Sequence, residues 1–117
     1  MTIRQFDIFF INFNPARGTM PGKIRPAIII QSDVLNNIKH PSTLVVPLSS
    51  QSYGRKATML RIEIQPDTNN GLKKTSYAVI DQLTAVDNHK IIEKVGFLDE
   101  ALHSQISNSI LAVLNLL

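Results

Sequence analysis

The stretch Arg25-Pro26-Ala27-Ile28-Ile29-Ile30-Gln31 decides the fold class of this 117-residue chain. Its continuous apolar run, from Ala27 to Gln31, is typical of a central strand that is buried on both faces. Pro26 pushes Arg25 into an extended conformation and fixes the path by which the chain reaches the strand. We therefore expect a sheet with this strand near its centre.

Further short strands are predicted on both sides of this stretch. Asp7 to Asn12 is aromatic and β-branched, as strands are. Thr43 to Leu48 is the next strand, with Pro47 expected at its end or on a sheet edge because proline cannot donate to a ladder. Met59 to Ile64 alternates between apolar and charged residues, which predicts a half-buried strand. Two more strands are predicted at 76–83 and 90–95, and loops at 13–23, 49–57 and 65–74.

The chain contains one long predicted helix, from Asp99 to Leu116. Its apolar residues recur at spacings of four, four, three and four, which places them on one face: Leu102, Ile106, Ile110, Val113 and Leu117. Asp99 is placed to act as the N-cap or as a first-turn acid. Such a helix would be roughly 25 Å long. A short helical turn is also expected at 34–36, capped by Ser32 or Asp33.

Several short strands with no helix between most of them predict a mainly β fold. We expect an antiparallel, partly closed barrel whose open face is covered by the C-terminal helix. The length predicts a single domain, residues 1–117.

Composition excludes several classes of protein. The chain has no cysteine, so thiolate metal sites and cysteine nucleophiles are absent. The N-terminus lacks the pattern of a signal peptide, and no apolar run reaches the ~20 residues of a membrane span. We therefore expect a soluble, cytoplasmic protein. The net charge of +3 and the pI near 9.5 are compatible with a polyanionic partner but do not require one.

Four positions stand out as candidates for chemistry. Arg25 is held beside Pro26 at the end of a long loop, where an arginine can bind phosphate bidentately or form a structural salt bridge. Ser49 and Ser50 directly follow an apolar strand, where hydroxyls can support a phosphate oxygen or simply belong to a loop. Asp81 follows the apolar run from Tyr77 to Ile80, where an acid needs a partner, for which Arg25 is a candidate.

Metal and nucleotide sites are poorly supported. The three histidines, His40, His89 and His103, are not spaced as metal ligands. No glycine-rich phosphate loop follows a strand. We expect no metal ion and no cofactor.

Five segments in a fixed order resemble the MazF/PemK/Kid toxins, and the resemblance covers roughly residues 6–116. The segments are Asp7-Ile8-Phe9, Pro15-Ala16-Arg17-Gly18, Lys23-Ile24-Arg25-Pro26-Ala27, Val46-Pro47-Leu48-Ser49-Ser50-Gln51 and Val79-Ile80-Asp81-Gln82. The tail from Val95-Gly96-Phe97-Leu98-Asp99 through the helix is similar as well.

The resemblance implies an SH3-like barrel of the MazF/Kid/CcdB type with a C-terminal helix. It implies a homodimeric toxin of a type II toxin–antitoxin pair that cleaves single-stranded RNA at short sequence motifs without a metal ion. It also implies an acidic antitoxin protein that covers the RNA groove.

Position by position, the resemblance assigns catalytic roles to Arg25, the central cation, to Ser49 and to the acidic position Asp81. It assigns contacts with RNA to a second set: Asp7, Arg17, Gly18, Thr19, Lys23, Ser50 and Gln51. Three positions depart from the family pattern. Val79 stands where some members carry an arginine, Thr19 where some carry a histidine, and Phe6 where a glycine is usual. The departures leave Arg25 as the main cationic catalyst.

The implied reaction is attack of an RNA 2′-hydroxyl on its neighbouring phosphate, which leaves a 2′,3′-cyclic phosphate and a 5′-hydroxyl. Arg25 and Ser49 would stabilise the phosphoryl oxygens, each by about 3–4 kcal/mol of the barrier. The general base stays open, with Asp81 a candidate only if it reaches the 2′-hydroxyl.

Two other functions remain open. One is a gyrase poison of the CcdB type, which uses a C-terminal tryptophan, whereas this chain has no tryptophan. The other is an RNA-binding barrel without activity, although the chain offers few aromatic residues for base stacking.

The apolar residues of the long helix and the basic residues of the groove predict two kinds of partner. Leu111 and Leu114 either form a two-fold contact or widen the barrel-facing stripe. A groove that holds phosphates around Arg17, Lys23 and Arg25 would also hold the carboxylates of an acidic segment.

Overall fold

The computed structural model describes residues 1–15, 18, 23–51 and 60–116, and it confirms a mainly β chain with a C-terminal helix. The described residues form seven strands: β1 (Asp7–Asn12), β2 (Ile24–Ile29), β3 (Ser42–Ser49), β4 (Arg61–Ile64), β5 (Ser76–Val79), β6 (Thr84–Asp87) and β7 (Ile91–Phe97). The helices are α1 (Asp33–Asn37) and α2 (His103–Val113). Short 3-10 turns lie at Ile80–Gln82, Asn88–Lys90 and Glu100–Leu102.

The strands pair antiparallel in the order β4-β5-β3-β2-β1-β7, and β6 lies beside the first half of β3. Between the described residues this order is an open path, as in a partly closed barrel. The apolar run identified in the sequence lies in β2, whose neighbours are β1 and β3. Its central position agrees with the prediction.

Both faces of the central strands are apolar. On one face, Ile8, Ile28 and Val46 are level with one another and pack in a cluster that includes Ile106 of α2. On the other face, a second cluster contains Phe9, Ala27, Ile29 and Val45, which are all fully buried. Successive side chains of a strand point to opposite faces, so β2 contributes to both clusters. Each fully buried side chain of this size contributes about 1.5–3 kcal/mol to stability.

The prediction that Pro47 lies at a strand end or sheet edge is wrong. Pro47 is buried in β3, which has neighbours on both sides. The backbone N–H of Ile30 donates to the carbonyl of Leu44, so Leu44 and every second residue after it direct their backbone groups toward β2. Pro47 lies at an intervening position, where the backbone groups point away from β2. On that side the pairing with β6 ends at Val45 and the pairing with β5 begins at Leu48. The missing N–H of Pro47 therefore falls in the gap between two partner strands.

Three boundaries differ from the predictions. The strand predicted over 76–83 ends at Val79, where the chain turns into the 3-10 segment Ile80–Gln82, and β6 was not predicted. The strand predicted over 90–95 runs on to Phe97. The strand predicted to begin at Ala27 begins at Ile24, so Pro26 lies inside it.

The C-terminal helix is shorter than predicted. Its α-helical part has eleven residues, which makes it about 16 Å long. The carboxylate of Asp99 accepts a hydrogen bond from the backbone of Ala101 at 3.0 Å, so Asp99 caps the 3-10 turn that leads into α2, whereas α2 itself begins after Leu102 without a side-chain cap. The apolar stripe packs on the first cluster only as far as Ile110, and Val113 is exposed. The cap of Ser32 on α1 is confirmed. Within the described part of the chain, no helix is long and apolar enough to cross a membrane.

Candidate active site

A cavity of about 770 Å³ lies where the start of β2 and the end of β3 face β4, β5 and the loop that precedes β5. Its lining combines apolar residues with polar and basic ones. The described residues that line it are Phe10, Lys23, Arg25, Pro26, Leu48, Ser49, Ser50, Gln51, Arg61, Gly71, Leu72, Lys73, Lys74, Ser76, Val79, Gln82 and Val95.

The charge of this lining has one sign. Five of the described lining residues are basic and none is acidic; the basic ones are Lys23, Arg25, Arg61, Lys73 and Lys74. A concave surface lined by one sign of charge concentrates ligands of the opposite sign. The cavity is therefore suited to a polyanion.

Arg25 is placed by the strand pairing of β2. It lies opposite Ile11 of β1, and the register between β2 and β3, continued by two residues from Ala27 and Pro47, brings it level with Ser49. Its Nε is buried and has no hydrogen-bond partner among the described residues. A buried N–H without an acceptor is costly, so this nitrogen is prepared for a ligand that brings one.

Ser49, Ser50 and Gln51 follow one another at the end of β3, and all three line the cavity. The Oγ of Ser49 accepts a hydrogen bond from the backbone N–H of Gln51 at 3.1 Å. Because a hydroxyl is both donor and acceptor, this bond orients Ser49 and leaves its hydrogen able to donate to a ligand.

Asp81 has a different partner from the one considered in the sequence. Its Oδ1 lies 2.6 Å from Nη1 of Arg61, not beside Arg25. The residue sits in the 3-10 turn that follows β5 and does not line the cavity, whereas Arg61 does. Arg61 is also the cross-strand partner of Val79. An arginine therefore lies in this part of the cavity, supplied by β4 and not by β5.

Asp7 lies apart from the cavity, at the other end of β1 from the residues that face Arg25. Its side chain is buried, accepts a hydrogen bond from the backbone of Arg4 at 3.2 Å and pairs with Lys94 at 3.4 Å. The neighbouring Phe6 stacks on His103 of α2, with ring centroids 3.8 Å apart. The phenylalanine at this position thus joins the first strand to the helix.

The first loop is only partly described. Lys23 lines the cavity and donates from its backbone to Oδ1 of Asn14 at 2.6 Å. Gly18 is exposed and is not among the lining residues. Arg17 and Thr19, which were assigned contacts with RNA, lie outside the described residues.

The loop before β5 supplies two lysines that sequence reasoning missed, Lys73 and Lys74. Buried Asn70 shapes this loop: its Oδ1 accepts from the backbone of Leu72 at 2.9 Å, and its Nδ2 donates to the carbonyl of Gln65. The loop packs on β7 so closely that a Cβ at Gly96 would lie 2.2 Å from the carbonyl oxygen of Asn69. In the sequence, Asn70-Gly71 indicated a turn, but nothing there placed Lys73 and Lys74 in the same cavity as Arg25.

Among the residues that the structure describes, no group of three or more His, Cys, Asp or Glu side chains could hold a metal ion. The chemistry available in the cavity is that of guanidinium groups, ammonium groups and hydroxyls. These groups stabilise negative charge on phosphoryl oxygens.

Comparison with known families gives one match over nearly the whole chain. Residues 4–114 match the family described as PemK-like, MazF-like toxin of type II toxin-antitoxin system.

Two curated relatives are similar over most of their length. Endoribonuclease MazF of Staphylococcus epidermidis is 27% identical over 108 residues, which cover 92% of this chain and 88% of the relative. Endoribonuclease EndoA of Bacillus subtilis (strain 168) is 23% identical over 111 residues, which cover 94% of this chain and 92% of the relative.

Solved structures share the fold. MazF (Form-I) from Deinococcus radiodurans superposes with a TM-score of 0.81 at 16% identity, over 98% of each chain. An endoribonuclease in complex with its cognate antitoxin, from Mycobacterial species, superposes with a TM-score of 0.77 at 14% identity, over 98% of this chain and 97% of the other.

Proposed function

The chain belongs to the PemK-like, MazF-like toxins of type II toxin–antitoxin systems, and from that premise we infer that it acts as an endoribonuclease. Both curated relatives, from S. epidermidis and B. subtilis, are named endoribonucleases. The observation that carries the inference to this molecule is the cavity, in which five basic residues and no acidic one line the described surface. RNA is the polyanion on which such an enzyme acts.

We propose that Arg25 and Ser49 act on the phosphate that reacts. The 2′-oxygen of the RNA forms a bond to phosphorus as the bond from phosphorus to the 5′-oxygen breaks. The 2′-hydroxyl loses its proton to a base, and the 5′-oxygen gains one. Arg25 neutralises charge on the non-bridging oxygens through donors that include its buried Nε, and Ser49 donates a further hydrogen bond.

Asp81, the candidate base from the sequence, is not assigned that role. Its carboxylate is bound to Arg61 and lies outside the cavity lining. A general base must lie within hydrogen-bond reach of the proton that it removes. The geometry therefore favours a different role for Asp81.

We propose that cleavage needs no metal ion and is restricted to RNA. Five cations in one cavity repel a divalent cation and themselves supply the positive charge that such an ion would bring. Attack by the 2′-hydroxyl makes DNA inert as a substrate. The remaining lining residues, Gln51 and Gln82 among them, can contact bases and so contribute sequence selectivity.

The same charge supports an acidic antitoxin as partner, since carboxylates can take the place of phosphates. The proposal of a homodimer draws on α2, where Leu111 and Leu114 are 37% and 51% exposed. Both leucines lie beyond the part of the helix that packs on the first cluster, so they are free to contact a second copy.

The test is incubation of the purified protein with a long single-stranded RNA in excess EDTA, followed by sequencing of the fragment ends. We expect cleavage at a short recurrent motif, with 5′-hydroxyl ends that polynucleotide kinase labels directly. Protein with Arg25→Ala, purified in the same way, controls for contaminating ribonuclease. RNA that is bound but left intact would instead identify a binding module, and a strict need for Mg²⁺ would contradict the metal-free mechanism.

A further inference from the structure

Arg61 is the second arginine of the cavity, and a carboxylate holds it from outside the lining. Its side chain is 14% exposed and that of Asp81 is 38% exposed. Nη1 donates both to Oδ1 of Asp81 at 2.6 Å and to the carbonyl of Leu60 at 3.1 Å. A guanidinium is planar, so two acceptors on one nitrogen restrict the orientation of the whole group.

The strand order separates the two arginines. Arg61 lies on β4 and Arg25 on β2, and β5 and β3 lie between them. Neighbouring strands lie about 4.8 Å apart, so the three steps from β4 to β2 separate the two backbones by about 14 Å, measured across the strands. An extended strand of nucleic acid that crosses the cavity would therefore pass the two guanidinium groups one after the other.

Restraining an arginine before its ligand arrives has an energetic consequence. An unrestrained arginine loses rotamer freedom when it binds, and this loss weakens binding. Asp81 and Leu60 already restrict Arg61. Binding of a phosphate to this guanidinium then needs less ordering.

We propose that Arg61 binds a phosphate flanking the one that reacts, and that Asp81 is a positioning residue that orients Arg61 for this contact. The nature of the ligand, RNA, rests on the proposed function. The role of the pair does not depend on cleavage, because binding of a strand that cannot be cut tests it directly.

Charge and positioning predict opposite effects at Asp81. If Asp81 acted only through its charge, Asp81→Asn would remove a negative charge near the bound phosphate and tighten binding. If Asp81 orients Arg61, the same substitution releases the guanidinium and weakens binding. The sign of the change therefore separates the two roles.

The experiment measures binding of a fluorescein-labelled, mixed-sequence RNA whose riboses are all 2′-O-methylated, over a series of salt concentrations. Each phosphate contact that a cation makes with a single strand contributes about 0.7 to the slope of log affinity against log salt. We expect Arg61→Gln to weaken binding about tenfold and to lower the slope by about that amount. Arg61→Lys keeps the charge and should keep the wild-type slope.

Asp81→Asn should weaken binding severalfold, and the double variant Arg61→Gln/Asp81→Asn should bind no worse than Arg61→Gln alone. In cleavage assays both single variants should raise KM more than they lower kcat. Lys94→Gln is the matched control, since it also removes one cation and one ion pair, at Asp7, away from the cavity. Its slope should equal that of the wild type.

An unchanged slope in a folded Arg61→Gln protein, or tighter binding by Asp81→Asn, would overturn the inference. A wild-type protein that binds the methylated strand but leaves ordinary RNA intact would overturn the proposed cleavage and leave the binding comparison valid. The two failures are therefore distinguishable. Circular dichroism checks that each variant is folded. If the Arg61→Gln protein is not folded, Arg61→Lys is the variant that tests the site.

Discussion

On the β2–β3 side of the cavity, Arg25 has no ion pair among the described residues and its buried Nε has no hydrogen-bond partner there, whereas on the β4–β5 side the guanidinium of Arg61 is bound by the carboxylate of Asp81 at 2.6 Å. A buried donor left unpaired costs roughly 1–3 kcal/mol, which a ligand with acceptor oxygens recovers. A partly exposed ion pair contributes at most about 1 kcal/mol and mainly fixes geometry. This difference supports the two proposed roles, in which Arg25 meets the reacting phosphate and Arg61, held by Asp81, binds a flanking one.

The largest expected effect comes from the β2–β3 side. Arg25→Ala should lower kcat/KM for RNA cleavage by about a thousandfold or more, because it removes the cation proposed to act at the reacting phosphate. Arg61→Gln should cost far less on the same substrate. The measurement is a steady-state cleavage assay, with circular dichroism to show that both proteins are folded. Similar losses in the two variants would erase the distinction between the two sides.

Ser49→Ala should have a smaller effect on the same side of the cavity. A single neutral hydrogen bond contributes about 1 kcal/mol, so we expect a loss of roughly tenfold in kcat and little change in KM. Ser107→Ala is the matched control, since it removes an exposed hydroxyl on α2, away from the cavity. A loss as large as that of Arg25→Ala would assign Ser49 a greater part in the chemistry than a supporting donor.

The free energy of unfolding should fall on loss of Arg61 but not on loss of Arg25, because only Arg61 has an ion pair among the described residues. Arg25→Met replaces a buried unpaired donor by an apolar side chain of similar length, so the free energy of unfolding should stay level or rise by up to about 1 kcal/mol. Arg61→Met should lower it by about 1 kcal/mol, because Asp81 loses its partner. Both variants remove one positive charge from the same cavity, so relief of repulsion largely cancels in the comparison. Urea unfolding measures both values, and a clear loss of stability in Arg25→Met would contradict the unpaired state of its Nε.

The smallest effect is expected at a carboxylate remote from the cavity, which provides a baseline for the other variants. Hydrogen bonds from the backbone of Gln5 and the side chain of Asn36 hold the pKa of Asp33 below its ordinary value of 3.8. The ionised form is thus favoured in the folded protein, and its contribution to stability is present above pH 3.8 and is lost as the pH falls through the lowered pKa. Asp33 is exposed and screened by solvent, so the contribution is well under ~1 kcal/mol.

Asp33→Asn should therefore melt slightly below the wild type at about neutral pH, and the difference should shrink as the pH falls below 3.8. Thermal unfolding followed over a pH series provides the measurement. RNA cleavage at neutral pH should not change. A difference that grows at low pH would show that the carboxylate does not favour the folded state.

Local patterns in the sequence were sufficient to predict most of the fold. The apolar run in β2, the aromatic β1 and the C-terminal helix were predicted from spacing and residue type, and each is present. The prediction that the strand continues from 80 to 83 was wrong, because Ile80–Gln82 forms a 3-10 turn. Ile80 is nevertheless buried, as it would be in a strand. Burial and strand formation coincide in most of this chain, but not there.

The site was predictable only where neighbours in sequence are also neighbours in space. Ser49, Ser50 and Gln51 line the cavity together because they are consecutive. The Arg61–Asp81 pair was missed because it depends on the register between β4 and β5, which no local pattern reveals. Lys73 and Lys74 were missed for the same reason, since the fold of their loop depends on its packing against β7.

That close packing of the loop on β7 has a consequence for genetic screens. A side chain at position 96 would collide with backbone atoms of Asn69 and Asn70, which are not the flexible ends of side chains. In a selection for cells that survive expression of the toxin, substitutions at Gly96 should therefore appear as often as substitutions of Arg25, although Gly96 does not line the cavity. Survivors would need sorting by the amount of soluble protein before any position is counted as catalytic.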